Sequence, residues 1–221
     1  MSLLLYAITD AELGRDPELR GIDGAALQAI EAGGLVAVAS GHSTTPPLDE
    51  AILWRFEQVI ESLMQHGAVL PVRFGTTMET TDAIVAMLQS GRPELVDKLD
   101  AVRGAVELSV RGIWRDSPGP ASAGAALTGT DYMRDRLAPQ LRAQALAAQL
   151  HAHLDGQARA SRHRILARPA VPVSAAFLVA RGTEDEFVRA VTRLDAQLDG
   201  ADLVCTGPWP AYSFAGDALG D

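Results

Sequence analysis

The chain has 221 residues, 48% of them hydrophobic and 21% charged, with a formal net charge of −9. That length suits one large domain or two small ones, at roughly 150 residues per domain, and a core of this size needs no disulfide staple. The negative balance speaks against nucleic acid as a general partner, because phosphate binding is driven by Lys and Arg releasing counterions.

Leu3 to Ile8 is a short apolar run closed by Thr9 and Asp10, and predicts a buried strand. It has no basic leader and is too short for a signal peptide. No stretch of about 18 apolar residues occurs elsewhere, so a cytoplasmic protein without a spanning helix is expected. Ala25 to Ile30 and Leu35 to Ser40 flank Gly33-Gly34, which favours a hairpin. After a Gly/Ser/Thr/Pro loop at 41–47, Ile52, Phe56, Val59, Ile60 and Leu63 fall on one helical face that Gly67 ends. Val69 to Val72 reads as a strand whose Pro71 favours an edge. Thr80 or Thr81 caps a further helix closed by Gly91, and Pro93 opens the next.

Val106, Leu108, Val110 and Trp114 alternate with Glu107, Ser109 and Arg111, the period of a half-buried strand. Residues 116–124 are the most linker-like segment. A long helix over about 131–154 follows, in which the stripe Met133, Leu137, Leu141 is out of phase with Leu146, Leu150, Leu154 beside Pro139, predicting a kink. Strands at about 162–167 and 174–180 precede a helix with Thr183 and Glu186 as a capping box, then a strand at 203–206 and an aromatic tail. From Arg103 the order is the split βαβ, ferredoxin-like one, and the first hundred residues give a version without the first crossover helix. The expected class is therefore α+β: a modified ferredoxin-like domain over 1–101 and a ferredoxin-like domain over 102–221, with a rival boundary near 117.

Candidate chemistry is sparse. No P-loop, Rossmann fingerprint, paired-histidine zinc helix or nucleophile elbow is present. Cys205 is the only cysteine and sits in an apolar run, so it reads as a buried hydrophobe. His151 and His153, at i and i+2 on a helix, point to different faces, and His42 and His66 lack ligand types at useful spacing, so neither a metal nor a cofactor is expected. The acids at 97, 100 and 184–186 read as surface and helix-start charges rather than a catalytic pair. Arg159, Arg162, Arg164 and Arg168 around His163 form a local basic cluster, read as a solvated face. Arg73, between Val72 and Phe74, is expected to lie mostly buried in an ion pair with a helix acid, Glu57 before Glu61, in preference to binding an external anion.

The tail carries Trp209, Tyr212 and Phe214 with Pro208 and Pro210, more aromatic surface than a free terminus usually bears. It either packs back on a domain or forms an exposed anchor for a partner. Packing is preferred, with Trp209 largely buried.

Val69-Leu70-Pro71-Val72-Arg73-Phe74-Gly75-Thr76 resembles the signature of the gas vesicle protein F/L (GvpF/GvpL) family. Leu35 to Ser40, the helix over 57–70, Gly129 to Met133 and the closing Thr206 to Phe214 resemble that family's other motifs, in order along nearly the whole chain. Two departures stand out: Phe56 where many members carry histidine, and Ala211 in place of a second proline. The resemblance implies a non-enzymatic accessory or minor structural protein of gas vesicles, without cofactor, catalytic residue or metal. Its expected partners are the main hydrophobic shell protein and other accessory proteins, not nucleic acid or lipid membrane. Trp209, Tyr212 and Phe214 are the candidate contacts. The rival readings are a ferredoxin-like RNA-binding module, which lacks the aromatic sheet motif, and an enzyme of unrecognised type.

Overall fold

A computed structural model describes residues 2–10, 19–44, 46–116, 129–166 and 170–216. The first strand, β1 (Ser2–Asp10), is buried through Leu4 to Thr9. The hairpin expected around the glycine pair is formed by β2 (Leu27–Ala32) and β3 (Leu35–His42), a little later along the chain than expected. Gly33 and Gly34 take φ of 61° and 81°, the two positive values that a tight two-residue hairpin turn requires. β3 runs antiparallel to β1, from Ser2 opposite His42 to Asp10 opposite Leu35.

Helix α1 (Glu50–Met64) starts where the Asp49 carboxylate accepts from the Ile52 amide at 2.9 Å, and its stripe Phe56, Val59, Ile60, Leu63 is buried. It packs on Leu4, Tyr6, Val36 and Val38 of the sheet. β4 (Val69–Pro71) and β5 (Thr77–Met78) both pair with β1, and α2 (Thr81–Ser90) and α3 (Arg92–Val102) follow. Thr80 caps α2 through the Ala83 amide, and a proline lies in the first turn of α3.

The remaining elements are β6 (Ala105–Trp114), α4 (Gly129–Leu154), β7 (Ala160–Ile165), β8 (Val173–Ala180), α5 (Glu184–Asp195), β9 (Ala201–Trp209) and the short α6 (Tyr212–Ala215). The chain divides into two compact units, Met1–Val106 with Trp209–Asp221, and Glu107–Pro208. The aromatic tail thus belongs with the first unit, whereas the sequence reading had put it with the second. The sheets are ordered β2-β3-β1-β4 and β7-β8-β6-β9. Counted within its own unit, each therefore runs second, third, first, fourth, so the two sheets share one topology. Between β1 and β2 the described residues hold a single-turn helix, Ile22–Gly24, and an isolated bridge between Arg20 and Ala26. The second unit has the full strand-helix-strand-strand-helix-strand order.

In the second unit, α4 and α5 cover one face of the sheet, with Leu146, Leu150 and Leu154 of α4 and Phe187, Val191 and Leu194 of α5 in the core. Gly112 allows α4 to approach, since a Cβ there would stand 2.5 Å from a Leu146 methyl. Leu137 and Leu141, which flank Pro139, stay exposed, whereas Leu146, Leu150 and Leu154 are buried, in keeping with the phase slip between the two stripes. The linker-like stretch over 117–124 lies outside the described residues, as does Arg168. The expected capping box at α5 is corrected. The Thr183 hydroxyl donates back to the Ala180 carbonyl, and it is Glu184, not Glu186, that accepts from the Gly182 amide. Among the described residues no helix is long and apolar enough to cross a membrane.

Candidate interaction site

The segment from Val69 to Thr76 is a strand that ends in a fixed turn. Val69, Leu70 and Pro71 pair with Thr9, Ile8 and Ala7, and the Val72 amide donates to the Tyr6 carbonyl at 2.9 Å. The chain then leaves the sheet. The Thr76 amide and hydroxyl both donate to the Arg73 carbonyl, at 3.2 and 2.8 Å, around Gly75 with φ of 88°. The Leu5 amide donates to the Thr76 carbonyl and brings the chain back to β1. A glycine is needed at 75 because side chains with a Cβ clash at such φ.

Phe74 holds this turn from inside. Its ring meets Phe56 edge-on at 5.2 Å, and Phe56 stacks on Tyr6 at 5.0 Å. Phe56, the position where the resembling family often has histidine, is thus a buried aromatic wedge. The Tyr6 hydroxyl is satisfied by the Ser40 hydroxyl at 2.8 Å and the Ile22 amide at 3.0 Å, and burial pushes its pKa up against the lowering pull of both bonds.

Arg73 is corrected by this geometry. It is exposed, and its guanidinium is not paired with Glu57 or Glu61. Its apolar neighbours Val72 and Phe74 had suggested a side chain within the packed layer, but the strand ends at Pro71 and the turn carries Arg73 outward. The Glu57 carboxylate, half-buried on α1, instead accepts from the Tyr212 hydroxyl at 2.8 Å. Burial raises its pKa, the Tyr212 bond lowers it and Glu61 raises it further.

Tyr212 opens α6, whose turn is closed by bonds from the Phe214 and Ala215 amides to the Ala211 carbonyl. Pro210, Ala211, Phe214 and Ala215 are buried, and α6 lies against α3 and β4. The tail therefore packs back on the first unit, as preferred from sequence. Trp209 does not follow: it is 39% exposed, which corrects the expectation that it would be largely buried. Of the three candidate contacts, then, Phe214 is an internal anchor, Tyr212 is half-buried on Glu57, and Trp209 offers the aromatic surface. Consecutive residues of α1 join the two features, with Phe56 against the turn and Glu57 against the tail.

Sequence reasoning missed two contacts. Glu57 and Tyr212 are 155 positions apart, and nothing local signals their meeting. In the second unit, His151 pairs with His163 and with Asp155, at 2.5 and 2.9 Å, whereas the reading from sequence compared His151 only with His153. Among the described residues no group of three or more His, Cys, Asp and Glu converges as a metal site.

Residues 2–216 match the family described as gas vesicle synthesis protein GvpL/GvpF. Gas vesicle protein L of Streptomyces sp. (strain CB03234) is 31% identical, the alignment covering 98% of this chain and 94% of that protein. Gas vesicle protein F2 of Halobacterium salinarum is 25% identical over 99% and 94%. The crystal structure of GvpF from Anabaena sp. PCC7120 superposes with a TM-score of 0.78 at 22% identity, covering 97% of this chain and 95% of that one. That of GvpF from Microcystis aeruginosa gives 0.77 at 21%, covering 97% and 98%. At such identities these two structures speak to the fold alone.

Proposed function

We propose, from the premise that this chain belongs to the gas vesicle synthesis protein GvpL/GvpF family, that it works in gas vesicle assembly without catalysis, by gripping the main hydrophobic shell protein. The contact limits aggregation of the shell protein or lines the gas-facing surface with this chain. Family membership carries the gas vesicle role; the grip is the finer reading.

The observation that carries this reading is an exposed Trp209 on a tail fixed by Tyr212 and Phe214. An aromatic side chain on a preordered segment loses little entropy on docking, and Trp and Tyr dominate binding hot spots. The first unit also exposes Leu48 and Trp54. Apolar groups left in water on a protein this well packed suit a hydrophobic partner. The exposed Arg73, held by its turn, adds a fixed charge beside Phe74 in sequence.

Co-expression with the shell protein, followed by pull-down, tests the reading. Soluble shell protein should be recovered with the intact chain and be reduced with Trp209→Ala. Equal recovery with both would remove Trp209 from the contact, and no recovery with either would remove the grip.

A further inference from the structure

We propose that His151 of α4 and His163 of β7 together bind a zinc ion, with the Asp155 carboxylate orienting His151 from behind. All three residues belong to the second unit and do not involve the tail.

The local fold brings the two imidazoles face to face. His151 lies in the last turn of α4, four residues before Asp155, so the two share one face of the helix end. A single turn, Asp155–Gln157, then leads towards β7. On β7, Ser161 and His163 stand opposite Phe177 and Ala175 of β8, which belong to the core beneath α4 and α5. Side-chain alternation therefore puts Ser161 and His163 on the helix side of the sheet. Arg162 and Arg164, opposite Ala176 and Ser174, take the other face.

The hydrogen bonds fix which nitrogens are available. The Asp155 carboxylate oxygens lie 2.9 and 3.0 Å from His151 Nδ1. An ionised carboxylate only accepts, so Nδ1 carries the hydrogen and Nε2 keeps its lone pair. That lone pair meets His163 Nδ1 at 2.5 Å, with the rings inclined at 74°. In the free protein the hydrogen on His163 Nδ1 bridges the two nitrogens. On binding, this hydrogen moves to His163 Nε2, and both facing nitrogens donate their lone pairs to the ion. A carboxylate behind a ligating histidine holds the ring and raises its basicity. The Ser161 hydroxyl, 3.2 Å from the same His151 Nδ1, adds a second outer partner.

Tetrahedral zinc with Zn–N of about 2.0–2.1 Å sets two nitrogens roughly 3.3 Å apart, so the pair opens by about 0.8 Å. His163 is exposed on a strand that ends the sheet order, which leaves its ring room to turn. Two imidazoles are fewer ligands than a closed structural site has, and water fills the other positions. The ion is thus exchangeable, and it ties the end of α4 to β7. Nitrogen ligands select zinc, nickel or copper over calcium and magnesium, which take oxygen. His153 stays outside, with its Nδ1 on the Gln149 carbonyl.

The test is calorimetric titration of the untagged, chelator-treated full chain with zinc chloride, beside calcium chloride. About one zinc should bind per chain, raise the melting temperature until a chelator is added, and shift the imidazole resonances of His151 and His163 but not of His153. Binding should weaken on acidification, because the ligating rings must be neutral. His163→Gln should lose tenfold or more in affinity, Asp155→Asn about tenfold to a hundredfold, and His153→Gln nothing. Equal affinity in His163→Gln, calcium binding as tight as zinc, or unmoved His151 and His163 resonances would each overturn the proposal. None of these readouts depends on Trp209 or the shell protein, so the two readings fail separately.

Discussion

The Tyr212 hydroxyl donates to the Glu57 carboxylate at 2.8 Å, joining the tail to the first long helix across 155 positions of sequence. A hydrogen bond to a charged acceptor contributes about 1.5–3 kcal/mol, less when the pair is partly exposed. Tyr212→Phe should therefore destabilise the chain by about 1 kcal/mol in denaturant unfolding. Glu57→Gln, which keeps an acceptor for the hydroxyl, should cost less than Tyr212→Phe. A double-mutant cycle with Glu57→Ala and Tyr212→Phe should return a coupling of at least ~0.5 kcal/mol.

The pH dependence has a definite sign. Burial is the largest influence on Glu57 and raises its pKa above the ordinary 4.5, so the folded chain holds this proton more tightly than the unfolded one. Stability attached to the group is then greatest below 4.5 and declines as pH rises from there to the folded value. The stability of Glu57→Gln relative to wild type should rise with pH through that window. Tyr212→Phe, by removing the bond that lowers the pKa, should move the upper end of the window higher.

At the turn, Arg73→Ala should change stability by no more than about 0.5 kcal/mol, since its guanidinium is exposed and forms no ion pair with a helix acid. Gly75→Ala should destabilise by about 1–2 kcal/mol, because φ is 88° there. Thermal melts of the two variants distinguish an outward charge on a strained turn from a buried ion pair, for which Arg73→Ala would instead cost ~3–5 kcal/mol.

Within the tail, Phe214 and Trp209 should respond differently. Phe214→Ala should cost about 3 kcal/mol, the low end for a buried aromatic. Trp209→Ala should cost less than Phe214→Ala, because Trp209 is exposed where Phe214 is buried. Equal losses would mean that both rings are structural.

The sequence carried the elements well where periodicity and packing agree. The stripe from Phe56 to Leu63 is both regular and buried, and the glycine pair marks the hairpin because only such residues accept two successive positive φ values. The slip at Pro139 was also visible, though not that Leu137 and Leu141 would stay in water while Leu146 to Leu154 packed. Contacts between distant segments left no trace. Arg73 looked buried because its neighbours are apolar, but its direction is set by where the strand ends and by the Thr76 bonds to its carbonyl. Trp209 looked buried by composition, yet the anchoring of the tail falls to Pro210, Ala211 and Phe214. The shared strand order of the two sheets likewise depends on crossovers that no local window contains.

The central claim is that the chain holds the shell protein through the fixed tail of its first unit. Amide hydrogen exchange of the full chain, alone and in complex with the shell protein, tests it most directly. The account predicts slowed exchange on complex formation over 207–216 and at the 73–76 turn, and loss of that protection with Trp209→Ala. A stable complex whose protection leaves both segments unchanged would contradict it.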